Sequence, residues 1–200
     1  NYTSPIVFKV SGRDQALMVG TNLVSSYDPL TGKKLWEISG ATTECVTSVV
    51  TDGTRIFTSG GYPRNHVQAV LADGSGKTAW QNTQRVYVPS MVAHQGTLYA
   101  VLDAGIATAW DTATGKTLWK KRLGGTFTSS LVLAAGNLYA TDESGQTTVF
   151  AASRNGLELK AKNKLGQQTY SSMAISGGRI FHRVATNDGG RREWLYCLSR

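Results

Sequence analysis

The chain of 200 residues is poor in the groups that announce a chemistry. Its two cysteines, Cys45 and Cys197, are too few for a disulfide framework and lack metal-ligand spacing. The three histidines, His66, His94 and His182, stand at no ligand spacing from one another, so the sequence offers no zinc site. No Cys-x-x-Cys-His run attaches a haem, and no Gly-x-Ser-x-Gly elbow accompanies Ser129–Ser130 or Ser171–Ser172. No apolar stretch approaches the roughly eighteen residues that a membrane span needs. Nor does an apolar period of 3.6 persist over three turns, which excludes long amphipathic helices. Proline is scarce at 4 while glycine reaches 22, a balance that favours tight turns over disorder.

Acidic residues are also few, 13 against 21 lysines and arginines, for a net charge of +8. The basic residues are dispersed over Lys33–Lys34, Lys120–Arg122, Lys160–Lys164 and Arg191–Arg192. None of these groups interleaves with aromatic residues as a stacking platform for bases does, so no nucleic-acid partner is expected. On outer strands such charges discourage edge-to-edge pairing. The chain begins at Asn1 with no charged-then-apolar leader. Either a removed targeting segment or a start within a longer protein is therefore expected.

What the sequence does hold is a repeat. "YDPLTGKKLWE" at Tyr27–Glu37 and "WDTATGKTLWK" at Trp110–Lys120 are nearly the same eleven residues. Fainter copies run over Leu71–Gln81, "LADGSGKTAWQ", and Ala151–Ala161, "AASRNGLELKA". Their glycines, Gly32, Gly76, Gly115 and Gly156, fall at steps of 44, 39 and 41 residues. A serine opens an apolar run at the same interval: Ser4, Ser48, Ser90, Ser130 and Ser172. So does an apolar-aromatic pair after a turn, in "RIF" at Arg55–Phe57 and Arg179–Phe181 and in "LY" at Leu98–Tyr99 and Leu138–Tyr139. Three landmarks keeping step at about forty residues mark a repeat architecture.

Within each unit the runs are short, rich in Val, Thr, Tyr, Phe and Trp, and cut off by Gly, Asp or Asn, which predicts strands. In the third unit they are Tyr87–His94, Thr97–Leu102, Ile106–Asp111 and Lys116–Lys121. Four antiparallel strands per unit, repeated radially, are the blades of a β-propeller, an all-β fold. The units run over about 1–40, 41–82, 83–123, 124–165 and 166–200, and the fifth lacks its outer strand. Small serines suit the inner strands, where the blades converge on the axis and space is least. The quoted stretch is the hairpin between the third and fourth strands. Asp28 or Asp111 accepts hydrogen bonds from turn amides, and Gly32 or Gly115 supplies a positive φ. Trp36, Trp80 and Trp119 then dock each blade on the next. Burying roughly 150–250 Å² of indole is worth a few kcal/mol.

At these residues, Asp28–Trp36 and Asp111–Trp119, the chain resembles the quinoprotein-like propellers with pyrroloquinoline-quinone-type repeats and their tryptophan-docking motif. That family includes quinone-dependent alcohol dehydrogenases and the propeller lipoprotein of the outer-membrane β-barrel assembly machine. The resemblance implies a periplasmic, cell-envelope or secreted scaffold that binds a protein partner and holds no cofactor. The alternative it implies is part of a quinone-dependent dehydrogenase, with pyrroloquinoline quinone and calcium. That chemistry calls for adjacent cysteines over the quinone, and none are present. The motif has drifted in two units: Ala72 and Ala152 stand at the Asp place, and Lys160 at the last Trp place. Members generally have about seven or eight blades, so the resemblance implies that the chain forms the C-terminal part of a larger ring; a small ring of five blades is the alternative.

For partner binding, the expected residues lie on one rim, in the connections between second and third strands. These are "GGYPRNH" at Gly60–His66 and "ATNDGGRREW" at Ala185–Trp194. Arg64, His66, Arg191 and Arg192 are the candidates there, and their positive charge suits an acidic partner.

Overall fold

The computed structural model describes residues 1–199; Arg200, the last residue of the fifth expected unit, lies outside them. Nineteen strands form five antiparallel sheets, and no helix occurs among the described residues. Sheet 1 holds β1 (Ile6–Val10), β2 (Arg13–Gly20), β3 (Leu23–Tyr27) and β4 (Lys34–Ser39). Sheet 2 holds β5 (Val50–Thr51), β6 (Arg55–Gly60), β7 (His66–Leu71) and β8 (Thr78–Asn82). Sheet 3 holds β9 (Val92–His94), β10 (Thr97–Val101), β11 (Ile106–Asp111) and β12 (Thr117–Arg122). Sheet 4 holds β13 (Val132–Ala134), β14 (Asn137–Thr141), β15 (Gln146–Ala151) and β16 (Leu159–Lys164). Sheet 5 has three strands, β17 (Ala174–Ser176), β18 (Arg179–Thr186) and β19 (Arg192–Leu198). Every sheet keeps chain order, as the blades of a propeller do.

In sheets 2 to 5 the first strand is only two or three residues long, shorter than its apolar run. Tyr87–Met91 lies outside the ladder of β9 because this stretch bonds between blades instead. The Ser48 amide donates to Ser90 Oγ at 3.0 Å, the Ser90 amide to Ser130 Oγ at 3.0 Å, and the Ser130 amide to Ser172 Oγ at 2.8 Å. The recurring serine is therefore more than a small residue at a crowded place. From sheet 2 to sheet 5 it ties each inner segment to the next.

Apolar clusters fill the joints between consecutive sheets. Val24, Trp36, Ile56 and Val70 join sheets 1 and 2; Phe57, Trp80, Leu98 and Trp110 join sheets 2 and 3; Tyr99, Ala109, Leu138 and Phe150 join sheets 3 and 4. The tryptophans sit in these joints as the repeat predicts. Trp80 is 9% exposed, lies 5.9 Å from Phe57 between ring centres, and donates its Nε1–H to the Thr112 carbonyl of the next blade at 2.8 Å. Half-buried Trp119 meets Phe150 of the next blade edge-on and donates to the Ser153 carbonyl at 2.9 Å. Trp36 reaches sheet 2 through a relay: its Nε1–H donates to Gln15 Oε1 at 2.9 Å, and Gln15 Nε2 donates to the Ala72 carbonyl at 3.2 Å. Fully buried Gln15 thus has both ends of its amide satisfied, as a buried polar group must.

Register corrects two alignments made on glycines. Asp28 and Asp111 donate their amides across the turn to the Lys33 and Lys116 carbonyls; Leu71 and Ala151 do the same to Lys77 and Glu158. The turns of sheets 2 and 4 are thus longer, and the Asp place is filled by Leu71 and Ala151 rather than Ala72 and Ala152. Likewise Trp36, Trp80 and Trp119 pair with Ser26, Ala69 and Ala109, and the matching pair in sheet 4 is Val149 with Ala161. Ala161, not Lys160, occupies the last indole place.

Candidate partner-binding rim

The connections between second and third strands share one side of the blades with the segments that lead from one blade to the next. Backbone bonds tie the two sets together. Asn22 donates to the Thr42 carbonyl, Phe127 to Asp103, Glu143 to Thr126, and Thr169 to Glu143. On this framework a chain of side chains joins the connections of sheets 2 and 3. Glu44 lies in the segment entering sheet 2 and bridges to Tyr62 through its amide. Its Oε2 accepts from the Tyr87 hydroxyl at 2.7 Å, and the Tyr87 amide donates to Asp103 Oδ2 at 2.9 Å. Arg85 stacks over the Tyr87 ring at 5.4 Å and stands 4.0 Å from Asp103 Oδ1. Hydrogen bonding to the Glu44 carboxylate holds the Tyr87 phenol above its ordinary pKa.

Arg64 and Tyr62 lie exposed beside this chain, in the connection from β6 to β7. His66 does not share their exposure. It opens β7 at 9% exposure, and neither ring nitrogen has a hydrogen-bond partner. Burial first, and the Arg64 charge second, push its pKa down to about 4. A neutral, enclosed ring adds nothing to an exposed rim, because β7 is covered on both faces.

In sheet 5 the connection between β18 and β19 carries Arg191 and Arg192. Arg191 is engaged locally: its guanidinium donates to Gln168 Oε1 and, at 2.8 Å, to Glu193 Oε1. Arg183 takes the other oxygen of Glu193. With Tyr170 and Ser171 these residues line a cleft of about 170 Å³. Arg191 is therefore partly neutralised, whereas Arg192 is exposed at the start of β19. Arg64 belongs to sheet 2 and the two other arginines to sheet 5, so the expected positive patch is divided between blades that are not neighbours.

Elsewhere the carboxylates cap turns. Asp28 Oδ1 accepts from the Leu30 and Thr31 amides and the Thr31 hydroxyl, which lowers its pKa. Asp111 Oδ1 accepts the equivalent set from Ala113 and Thr114, while Arg154 of the next blade binds Oδ2. The Arg154 hydrogen bond is the main reason that its pKa falls to about 2. The docking glycines divide as the indoles do. A Cβ on Gly115 would lie 2.5 Å from Trp80, and one on Gly74 3.2 Å from Trp36. In the longer turn of sheet 2, then, Gly74 lies under the indole and Gly76 under Ile38. Gly32 and Gly156 face open space. No group of three or more His, Cys, Asp or Glu that would hold a metal ion occurs among the described residues.

The sequence marks none of Glu44, Arg85 and Tyr87 as rim residues, and it offers Asp103 only as a turn-capping carboxylate. For Arg85 and Tyr87 the signal is the Arg-Val-Tyr shortly before Ser90.

Five sheets in chain order, joined by indoles and inner-strand serines, define the quinoprotein-like class of β-propeller. A family model described as outer membrane protein assembly factor BamB matches residues 63–181. The chain belongs to that family. Among solved structures it is similar to BamB from Moraxella catarrhalis, with 17% identity over 96% of this chain and 63% of that one, at a TM-score of 0.70. It is also similar to a chain of a mitotic checkpoint complex crystal structure, with 16% identity over 92% of this chain and 58% of that one, at a TM-score of 0.68. The chain thus spans less than two thirds of the length of either protein. At these identities the likeness is one of fold. No curated protein sequence matches the chain.

Proposed function

We propose that the chain is part of a non-catalytic scaffold for outer-membrane protein assembly at the cell envelope, and that its rim over sheets 2 and 3 binds an acidic surface of a protein partner. The observation that carries this reading is the Glu44–Tyr87–Asp103 chain. It fixes three connections, leaves Arg64 outside, and holds Arg85 against Tyr87 and Asp103 with 55% of its side chain exposed. A surface fixed before binding loses less conformational freedom on association, and outward cations steer an acidic partner. Family membership supports assembly as the process, and the predominance of turn-capping carboxylates supports a non-catalytic role. The test is a strain whose chain carries Arg64→Glu and Arg85→Glu. At unchanged abundance of the chain in the envelope fraction, the level of assembled outer-membrane barrels is expected to fall. Unchanged barrel levels would refute the rim, and recovery of the chain from the cytoplasm would refute the location.

A further inference from the structure

The outer strands of the blades differ in charge. β4 carries Lys34 and Glu37, which pair with each other, and β8 carries no charged residue. β12 carries Lys120, Lys121 and Arg122, and β16 carries Lys160, Lys162 and Lys164, with no acidic residue in either strand. Protection of an edge from pairing does not require this concentration, since β8 is an outer strand with no charge at all. All six side chains are exposed. Three are engaged within the protein: Lys120 donates to Gln84 Oε1 at 2.9 Å, Lys160 to Glu158, and Lys164 to the Ser144 hydroxyl at 3.0 Å. Lys121, Arg122 and Lys162 have no such partner among the described residues.

Register places these charges. Trp119 pairs with Ala109 and meets Phe150 of sheet 4, so Lys121, two residues on, lies on the face of sheet 3 that looks toward sheet 4. Ala161 holds the indole place in β16, so Lys162 and Lys164, which pair with Thr148 and Gln146, lie on the opposite face, toward sheet 3. Lysines thus line both walls of one joint at its outer mouth. Lys120 and Arg122 carry the charge over the other face of β12.

We propose that this basic band binds the phosphate headgroups of an anionic lipid surface. Alternate residues of a strand stand about 7 Å apart, so Lys162 and Lys164 offer separate charges rather than converging on one ion. Such a row fits an array of anions. Lysine heads on flexible stems suit phosphates presented at no fixed angle, whereas bidentate recognition calls for the arginine fork. β16 holds no aromatic residue, and the one indole of β12 is committed to the Ser153 carbonyl, so a single-stranded nucleic acid finds no stacking platform. The band lies on outer strands and does not rest on the rim that carries Arg64 and Arg85.

Co-sedimentation of the chain with vesicles tests the band, using phosphatidylglycerol mixed with phosphatidylcholine, or phosphatidylcholine alone. Binding is expected to the anionic vesicles only, and to fall as salt rises. Each cation held near such a surface strengthens binding roughly fivefold. Lys162→Gln alone therefore loses about fivefold, and the triple variant Lys121→Gln, Arg122→Gln, Lys162→Gln on the order of a hundredfold. The charge-matched variant Lys9→Gln, Lys33→Gln, Lys77→Gln, with all three positions exposed and outside the band, loses far less. Thermal unfolding followed by circular dichroism, unchanged in every variant, shows that the fold is intact. Failure of the chain to sediment with anionic vesicles overturns the proposal. So does an equal loss in the two triple variants, which would make net charge the cause.

Discussion

Gly32 and Gly115 offer a controlled test of tryptophan docking, because they share a backbone and differ in what lies above it. Both have φ of +71° in the same turn. Alanine at Gly32 meets nothing within 4 Å, so Gly32→Ala measures the left-handed conformation alone, about 1–2 kcal/mol. At Gly115 the new methyl would lie 2.5 Å from Trp80 Cδ2 and 2.7 Å from Cε3. That indole cannot swing aside. It is wedged against Phe57, bonded to the Thr112 carbonyl and 9% exposed. Gly115→Ala is therefore expected to cost about 1–3 kcal/mol more than Gly32→Ala, the usual penalty of overpacking. Trp80→Ala alone costs about 3–5 kcal/mol by emptying the joint. In the double variant the clash has nothing to strike, so the combined loss falls short of the sum by about the overpacking share. Urea unfolding followed by circular dichroism, with unchanged slope, reads all four values. Equal losses for Gly32→Ala and Gly115→Ala, or strict additivity with Trp80→Ala, would refute the docking of the Trp80 indole on this turn.

Two further perturbations follow from the joints and the rim. Ser90→Ala removes the hydroxyl that accepts the Ser48 amide and is expected to cost about 1 kcal/mol, with Thr retaining most of it; hydrogen exchange at the Ser48 amide should quicken in the alanine variant, and unchanged exchange would show that the ladder contributes nothing. Buried His66 binds its proton more weakly folded, at about 4, than unfolded, near 6.5. The unfolded chain therefore takes up a proton first as pH falls. Stability is full above about 6.5 and is lost progressively toward 4, by about 2 kcal/mol between pH 7 and 5. His182 acts in the same direction through its own burial. His66→Leu should flatten this part of the pH curve, and an unaltered curve would mean that the ring titrates normally.

The repeat was legible because its chemistry is local. In the Asp28 and Asp111 turns, acceptor and donors lie within three residues, so the same letters recur wherever the same turn forms. The five sheets, their strand order and the burial of Trp36 and Trp80 follow from that recurrence. Turn length was not legible in sheets 2 and 4. Aligning Gly76 and Gly156 on Gly115 hides added residues that only the ladder reveals, and so Lys160 was read in the place that Ala161 fills. The rim was legible only as loose charge. Its organising contact joins Tyr87 to Glu44, 43 residues away, and no sequence period records a bond between two connections. The charges themselves misled in one case, since Arg191 is spent on Gln168 and Glu193 within its own blade.

The drift of the repeat has a physical logic that its recurrence alone conceals. An indole is stabilising at a joint only if the following blade presents a turn with room beneath it. Trp80 has Gly115 and Trp36 has Gly74, while Trp119 meets the Ser153 carbonyl and remains half-exposed. The indole without a glycine seat, Trp119, is thus the more exposed one, and at sheet 4 the side chain is Ala161. At Trp36 and Trp80 the motif therefore serves the joint with the following blade, whose turn glycine makes room for the indole.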